Sequence, residues 1–202
     1  MKPSELKLIR RLQVRNADRA RATAGGIHRS KPFPSIAAKG LQTAERTIGF
    51  RLPALLRALY LQVGNGGFGP EYGILGTKGG AKLVGHTLET CYREMLRLCR
   101  QNSAWRWPAR LLPLGEFGSG CWSCVDCEYA RLPIILWDPN NLDEDLEGAE
   151  ARENWGQSFW QQRESLTAWL EGWLADEPAP DPIWTKPAWT KMRLGFTLPK
   201  PS

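Results

Sequence analysis

Residues 44–67 read AERTIGFRLPALLRALYLQVGNGG, and this stretch sets the order of the first elements. Apolar side chains at helical spacing predict a helix over 36–48, which ends at Gly49 because glycine readily adopts the left-handed conformation that terminates helices. Pro53 stands where the first turn of another helix belongs, and that apolar helix ends at Gly64. This part of the chain is therefore expected to be helical and to contribute to the core.

The segment that follows is predicted to combine one helix with several strands. A short strand is expected at 72–76 and a helix at 87–101. Three short runs rich in branched and aromatic residues then predict an antiparallel meander, because glycine or polar turns separate them. The runs lie at 111–117, 121–127 and 133–137. Acidic residues over 143–153 predict an exposed loop, and a last helix is expected to start at Ser158.

Both ends of the chain differ in composition from the middle. Ser4 is expected to cap a basic helix that runs to about residue 24, followed by a linker with Pro32 and Pro34. Proline density beyond Glu177 favours extended backbone, with two tryptophans that either pack on the domain or dock on another protein. We therefore divide the chain into an N-terminal helix and linker, a central domain and a tail. Their predicted bounds are 1–35, 36–176 and 177–202.

Charge is distributed unevenly along the chain. The net charge is +6, yet residues 1–35 hold nine Lys/Arg against two acidic side chains, and residues 138–182 hold two against twelve. Such asymmetry indicates electrostatic partners and says nothing about the fold. The basic segment is suited to nucleic acid, and the acidic segment to a basic protein surface.

The cysteines and glycines do not form a convincing metal or cofactor site. Cys121, Cys124 and Cys127 have the spacing of iron–sulfur ligands, but no cysteine follows them, and a strand there would place Cys124 on the opposite face from the other two. Small packing residues are the better interpretation. The motif Gly-x-Gly-x-x-Gly at 64–69 follows a helix and precedes a strand, which is the reverse of a dinucleotide site. We expect no bound metal and no cofactor.

Other features bear on catalysis and localisation. His28 and His86 lie far apart in the sequence and give no sign of a nucleophile–base pair. No apolar run approaches the ~20 residues of a membrane span, and the N-terminus lacks the apolar stretch of a signal peptide. An odd number of cysteines fits a reducing compartment. The sequence therefore predicts a cytoplasmic protein, and it gives no recognisable catalytic constellation.

Several short motifs resemble the SUKH superfamily, which includes the Smi/Knr-type regulators of yeast cell-wall assembly. The resemblance covers about residues 36–175. The motifs are Ala44-Glu45, Ile48–Pro53, Leu56–Tyr60, Asn65–Gly67, Leu112–Gly115, Gly118 and Gly120 leading to Asp126, Pro133–Trp137, Ser158-Phe159 and Trp169-Leu170. The resemblance implies an α+β fold in which helices pack on one side of a mainly antiparallel sheet.

The same resemblance implies a function in protein binding. Bacterial SUKH proteins typically act as immunity proteins, which bind and block a cognate polymorphic or contact-dependent toxin, often a nuclease. Such proteins are not enzymes. Acidic side chains would then face a basic toxin surface, and aromatic rings near loops would anchor the complex. The acidic candidates are Asp143, Glu144, Asp145, Glu147, Glu150 and Glu153, and the aromatic candidates are Trp155, Phe68 and Tyr72. For Trp155 and Tyr72, packing inside the domain is the competing interpretation.

A competing interpretation is a nucleic-acid-associated or regulatory scaffold. In that case the basic N-terminal helix would neutralise phosphates, and binding would weaken steeply with salt. The residues concerned are Arg10, Arg11, Arg15, Arg19 and Arg21. The sequence does not decide the oligomeric state or which toxin would be bound.

Overall fold

The computed structural model describes residues 2–18, 22, 32–177, 183–184 and 187–195. Along the described chain a run of helices comes first, three strands follow, and helices and strands alternate after that. The helices are α1 (Pro3–Ala17), α2 (Ala38–Ile48), α3 (Ala54–Ala58) with its π-helical continuation (Leu59–Val63), α4 (Leu88–Leu98), α5 (Gly148–Gly156), α6 (Leu166–Leu174) and α7 (Pro187–Leu194). The strands are β1 (Leu111–Gly118), β2 (Cys121–Asp126), β3 (Ile134–Trp137), β4 (Phe159–Arg163) and β5 (Ile183–Trp184).

The five strands form one antiparallel sheet in chain order. The predicted meander is confirmed as β1 to β3, with Cys124 opposite Ile135 and Val125 opposite Ile134. The strand expected at 72–76 is reduced to one bridge, between Ile74 and Gly115, because neighbouring backbone groups bond elsewhere. The N–H of Ile74 donates to the carbonyl of Phe68 and the N–H of Gly76 to that of Ala81, each at 2.8 Å. Together with the helices, the sheet confirms the predicted α+β class.

The helices end largely where local signals predict. α2 ends at Gly49, whose φ of 96° is left-handed, and the π-helical turn ends before Gly64. Pro53 precedes α3 as its N-cap residue. Ser4 lies inside α1 and does not cap it, because the helix already begins at Pro3. The backbone N–H of Lys2, the residue before the helix, donates a hydrogen bond of 2.7 Å to the Glu5 side chain. None of the helices described is both long and apolar enough to cross a bilayer.

The helix expected to start at Ser158 starts eight residues later, at Leu166. Ser158 precedes β4, in which Phe159 pairs with Trp137 of the neighbouring strand. α6 begins at Leu166, because the Ser165 hydroxyl accepts a hydrogen bond of 3.0 Å from the N–H of Ala168 and caps the helix. The aromatic residues before that cap extend the sheet.

α1 is part of the same core as the rest of the domain. Leu8, Ile9 and Leu12 are buried on its inner side, among residues of the central hydrophobic cluster. Its arginines also contact the domain, since Arg11 pairs with Glu171 and Arg15 pairs with Asp176. The predicted continuation of this helix past residue 18 lies mostly outside the described residues.

The described part of the C-terminal tail packs against the sheet. β5 pairs with β4, and residues 187–194 form α7 where proline density favoured extended backbone. Proline does not interrupt α7, because Pro187 occupies its first position, where no N–H is needed. The prediction of a continuously extended tail is therefore wrong for this segment.

A buried ion pair holds α7 to the sheet. Asp126, at the end of β2, is fully buried and receives two hydrogen bonds from the Arg193 guanidinium, at 3.0 and 3.1 Å. Trp189 Nε1 donates a third at 3.1 Å, and the N–H of Glu128 a fourth at 3.1 Å. Burial raises the pKa of Asp126, and the Arg193 charge opposes that rise.

Candidate partner-binding surface

The acidic segment forms an exposed surface on α5 and the loop before it. All six predicted carboxylates lie on the outside of the molecule. They are Asp143, Glu144, Asp145, Glu147, Glu150 and Glu153, and together they are called the acidic surface below. Within the described part of the chain, none of them forms an ion pair. Their charge is therefore available to a partner.

Two of the six carboxylates of the acidic surface are helical, which corrects the prediction of an exposed loop over the whole of 143–153. α5 begins at Gly148, so that Glu150 and Glu153 project from a helix and the other four carboxylates precede it. Glu150 lies in the first turn, where the positive end of the helix dipole favours a carboxylate. Glu150 and Glu153 thus stand on a regular element, and the other four carboxylates lie in the loop that leads into it.

Trp155 fixes α5 to the domain. Its side chain is 0 % exposed, and Nε1 donates a hydrogen bond of 3.0 Å to the backbone carbonyl of Arg106. The ring stacks on Trp105 at 5.1 Å and meets Phe159 edge-on at 5.3 Å. Trp155 therefore cannot insert into a partner, which corrects the prediction of an interface anchor. Its role is to position the carboxylates around it.

Two amide side chains fasten the loop before α5. Asn154 accepts a hydrogen bond of 3.0 Å from the N–H of Asp143 and donates one of 2.8 Å to the carbonyl of Asn141. Asn102, from the turn after α4, donates one of 2.9 Å to the carbonyl of Leu146. These contacts lower the ordering cost that a partner would otherwise pay on binding.

The other two aromatic candidates differ in accessibility. Phe68 is fully buried in the core, because the glycine-rich turn folds back on the chain that follows it. The Phe68 carbonyl there accepts a hydrogen bond of 2.8 Å from the N–H of Ile74. The prediction that Phe68 anchors a partner is therefore wrong. Tyr72 is half-buried against the core and keeps part of its surface accessible. The structure therefore does not bring these rings together with the acidic surface as a set of exposed anchors.

The closely spaced cysteines lie in or beside β2, and all three are buried. Burial is the main cause that raises the pKa of Cys121 and of Cys127 to about 12, so both are protonated thiols at neutral pH. The Cys124 thiol contacts the carbonyl of Trp122 at 3.5 Å. Among the described residues, no group of three or more His, Cys, Asp or Glu side chains is placed to hold a metal ion.

Two motif residues from the helical region have structural roles. The Glu45 carboxylate accepts a hydrogen bond of 2.8 Å from the N–H of Leu52 and pairs with Arg57, which closes the turn between α2 and α3. The Asn65 side chain accepts bonds from the N–H and the hydroxyl of Thr77, at 2.8 and 3.1 Å. These residues maintain the fold, and the surface chemistry lies elsewhere.

Comparison with known families identifies the architecture. The model of the SMI1 / KNR4 family (SUKH-1) matches residues 36–172, which is more than half of the chain. The chain belongs to the SMI1/KNR4 family. No curated protein and no solved structure gives a significant match. The predicted SUKH resemblance is thereby confirmed.

Membership in the SMI1/KNR4 family has a general functional meaning. SUKH proteins are generally associated with immunity and are typically not enzymes. The match spans residues 36–172, so that α1 and α7 lie outside the matched segment. Both helices are held to that segment by ion pairs.

Proposed function

We propose that this SMI1/KNR4 protein is a cytoplasmic immunity protein that binds a cognate bacterial toxin and neutralises it by covering its active surface. The toxin would be a polymorphic or contact-dependent toxin, and a nuclease is one class that fits. The acidic surface is the proposed site of contact. The observation that carries the proposal is that six exposed carboxylates without an ion-pair partner among the described residues lie on α5 and the loop before it, and that the buried Trp155 anchors this helix.

The physical reasoning concerns both the rate and the strength of binding. Unpaired carboxylates accelerate encounter with a basic partner, and steering of this kind raises association rates by roughly 10–1,000-fold. Because α5 is held by Trp155 and by the loop hydrogen bonds, little freedom is lost when a partner docks. Occlusion requires no catalytic group on this chain.

The competing nucleic-acid function receives less support. Arg11 and Arg15 pair with acidic residues of α6 and its C-terminal end, and Arg15 also lies over the Trp173 ring at 5.0 Å. Phosphates would have to compete with these partners. Arg10 remains exposed, while Arg19 and Arg21 lie outside the described residues.

The first experiment is capture of the partner by the tagged full-length protein from lysate of its native cells. Parallel samples are treated with nuclease or washed with high salt. We expect one stoichiometric polypeptide to survive both treatments, because a specific interface is not held by screened charge alone. Recovery of only nucleic acid or salt-labile material would contradict the proposal.

Charge reversal then tests the surface. The variant Glu144→Lys/Glu150→Lys is compared with Asp18→Lys/Glu164→Lys, which makes the same change in net charge at exposed positions on other elements. We expect the first variant to lower the association rate with the captured polypeptide by at least about tenfold at low salt, and the control to change it much less. Equal effects of the two variants would place the interface away from the acidic surface.

A further inference from the structure

A second charged surface lies beside α2 and carries the opposite sign. It is a groove of about 810 Å³ between α2 and the turn that leads into α3. The residues that line it are Ala38, Lys39, Gln42, Glu45, Arg46, Gly49, Phe50, Arg51 and Arg57. Four of these side chains are cationic and one is acidic. This surface is called the basic groove below.

The cations of the basic groove are largely unneutralised. Lys39, Arg46 and Arg51 are exposed, and within the described part of the chain no acidic side chain pairs with any of them. The one carboxylate, Glu45, is buried and already bound to Arg57 and to the N–H of Leu52. Glu45 therefore neutralises Arg57, and the groove presents the other three cations without a carboxylate partner among the described residues.

The spacing of the cations favours an extended ligand. Lys39 and Arg46 are seven residues apart on α2, which places them two turns and roughly 10 Å apart along the helix axis. A ligand with several anions along an extended chain meets each cation in place, whereas a single anion would have to draw the two side chains together. Gln42 lies between them on the same side and offers an amide that can both donate and accept hydrogen bonds. A chain that carries several anions and peptide groups matches this arrangement.

The one aromatic ring of the groove is already covered. The Arg110 guanidinium lies over the ring of Phe50 at 4.8 Å, and Tyr92 meets that ring edge-on at 6.0 Å. Single-stranded nucleic acids depend on free aromatic faces for base stacking, which contributes about 1–3 kcal/mol per base. Because Arg110 covers one face of Phe50 and the ring is only partly exposed, the basic groove offers little surface for base stacking and favours carboxylates over nucleotides.

We propose that the basic groove binds an acidic segment of a partner polypeptide. Arg46 and Arg51 would hold carboxylates through paired N–H bonds, which the planar guanidinium makes with good geometry. Lys39 would neutralise a further acidic side chain, and Gln42 would contact the peptide backbone. The site is separate from the acidic surface, and the proposal holds whether or not the partner is a toxin.

The test measures binding of a labelled polyglutamate peptide to the full-length protein by fluorescence anisotropy. The variant Arg46→Glu/Arg51→Glu is compared with Arg10→Glu/Arg100→Glu, which makes the same charge change at exposed residues outside the groove. We expect the groove variant to weaken binding at least about tenfold, and the control at most about threefold, because only the former removes the paired contacts. Circular dichroism verifies that both variants fold.

Three results would overturn the proposal. The first is equal loss of peptide binding in the two variants, which would mean attraction to net charge alone. The second is tighter groove-dependent binding of a single-stranded oligonucleotide of matched charge, which would make the occupant a nucleic acid. The third is groove-dependent self-association in sedimentation velocity at low salt, which would make the occupant a second copy of this chain.

Discussion

Replacing Arg193 by alanine leaves the Asp126 carboxylate buried without its cation. In the folded protein the guanidinium makes two of the four hydrogen bonds to this carboxylate, and Asp126 itself is fully buried. The remaining donors, from Trp189 and Glu128, are neutral. Removal of one partner from a buried ion pair costs about 3–5 kcal/mol, since the other charge stays desolvated. Arg193→Ala is therefore expected to lower the free energy of unfolding by that amount.

The loss should depend on pH, with a definite sign. Burial already raises the pKa of Asp126, and Arg193 opposes the rise, so that Arg193→Ala raises this pKa further. A raised pKa in the folded state means that protonation stabilises the fold. The defect of Arg193→Ala is therefore smallest at acidic pH and becomes larger as pH rises through the folded-state pKa of Asp126.

Urea unfolding at several pH values measures both effects. The control is a double-mutant cycle with Asp126→Asn and Asp126→Asn/Arg193→Ala, in which the double variant removes both charges together. We expect the double variant to be more stable than the sum of the single losses predicts, by about 1–3 kcal/mol. A loss of unfolding free energy below about 1 kcal/mol for Arg193→Ala, which is typical of exposed ion pairs, would refute the reasoning. Strict additivity of the two single losses in the double variant would refute it as well.

Three further predictions follow from single side chains. Trp155→Ala should cost about 3–5 kcal/mol in urea unfolding, because it empties the centre of the aromatic cluster; a loss under about 1 kcal/mol would contradict this. Burial raises the pKa of Glu71 to about 7, so that its carboxylate destabilises the fold as pH rises through 7. Glu71→Gln should therefore have a higher free energy of unfolding than the natural chain at pH 8 and nearly the same one at pH 5. An equal difference at both pH values would contradict the raised pKa of Glu71. Val84 is 69 % exposed and has a left-handed φ of 49° in a two-residue turn, a conformation that strains a β-branched residue. Val84→Asn should therefore raise the melting temperature, because asparagine tolerates this conformation. An unchanged or lower melting temperature would refute backbone strain at this position.

Local signals were sufficient for much of the fold. Gly49 and Gly64 end their helices as predicted, because each signal acts through the backbone of its own turn. The strands β1 to β3 follow from short runs of branched and aromatic residues separated by turn residues. The glycine-rich turn after Gly64 also forms as predicted, since Gly66 and Gly67 both have positive φ.

Tertiary context decided the segments that were misassigned. Residues 159–163 carry aromatic side chains at a spacing that also fits a helix, and only pairing with β3 makes them a strand. α7 forms because Asp126, more than sixty residues earlier, binds Arg193. No local sequence pattern indicates a contact between residues so far apart in the chain.

The acidic surface was predictable from composition, whereas its mode of attachment was not. Carboxylates in a polar run are exposed in almost any fold, so that their positions followed from the sequence. Trp155 was assigned to the interface because aromatic residues are frequent there, yet the same property makes a tryptophan the best filler of a core. The basic groove was missed because its cations come from both sides of a turn.

The central claim, that this SMI1/KNR4 protein neutralises a toxin, is tested most directly by growth rescue. The captured partner is expressed in a naive bacterial host, alone or together with this chain. The account predicts that the partner alone arrests growth, that co-expression restores it, and that Glu144→Lys/Glu150→Lys restores it less well than the matched control. A partner that does not arrest growth, or an arrest that co-expression leaves unchanged, would contradict the account.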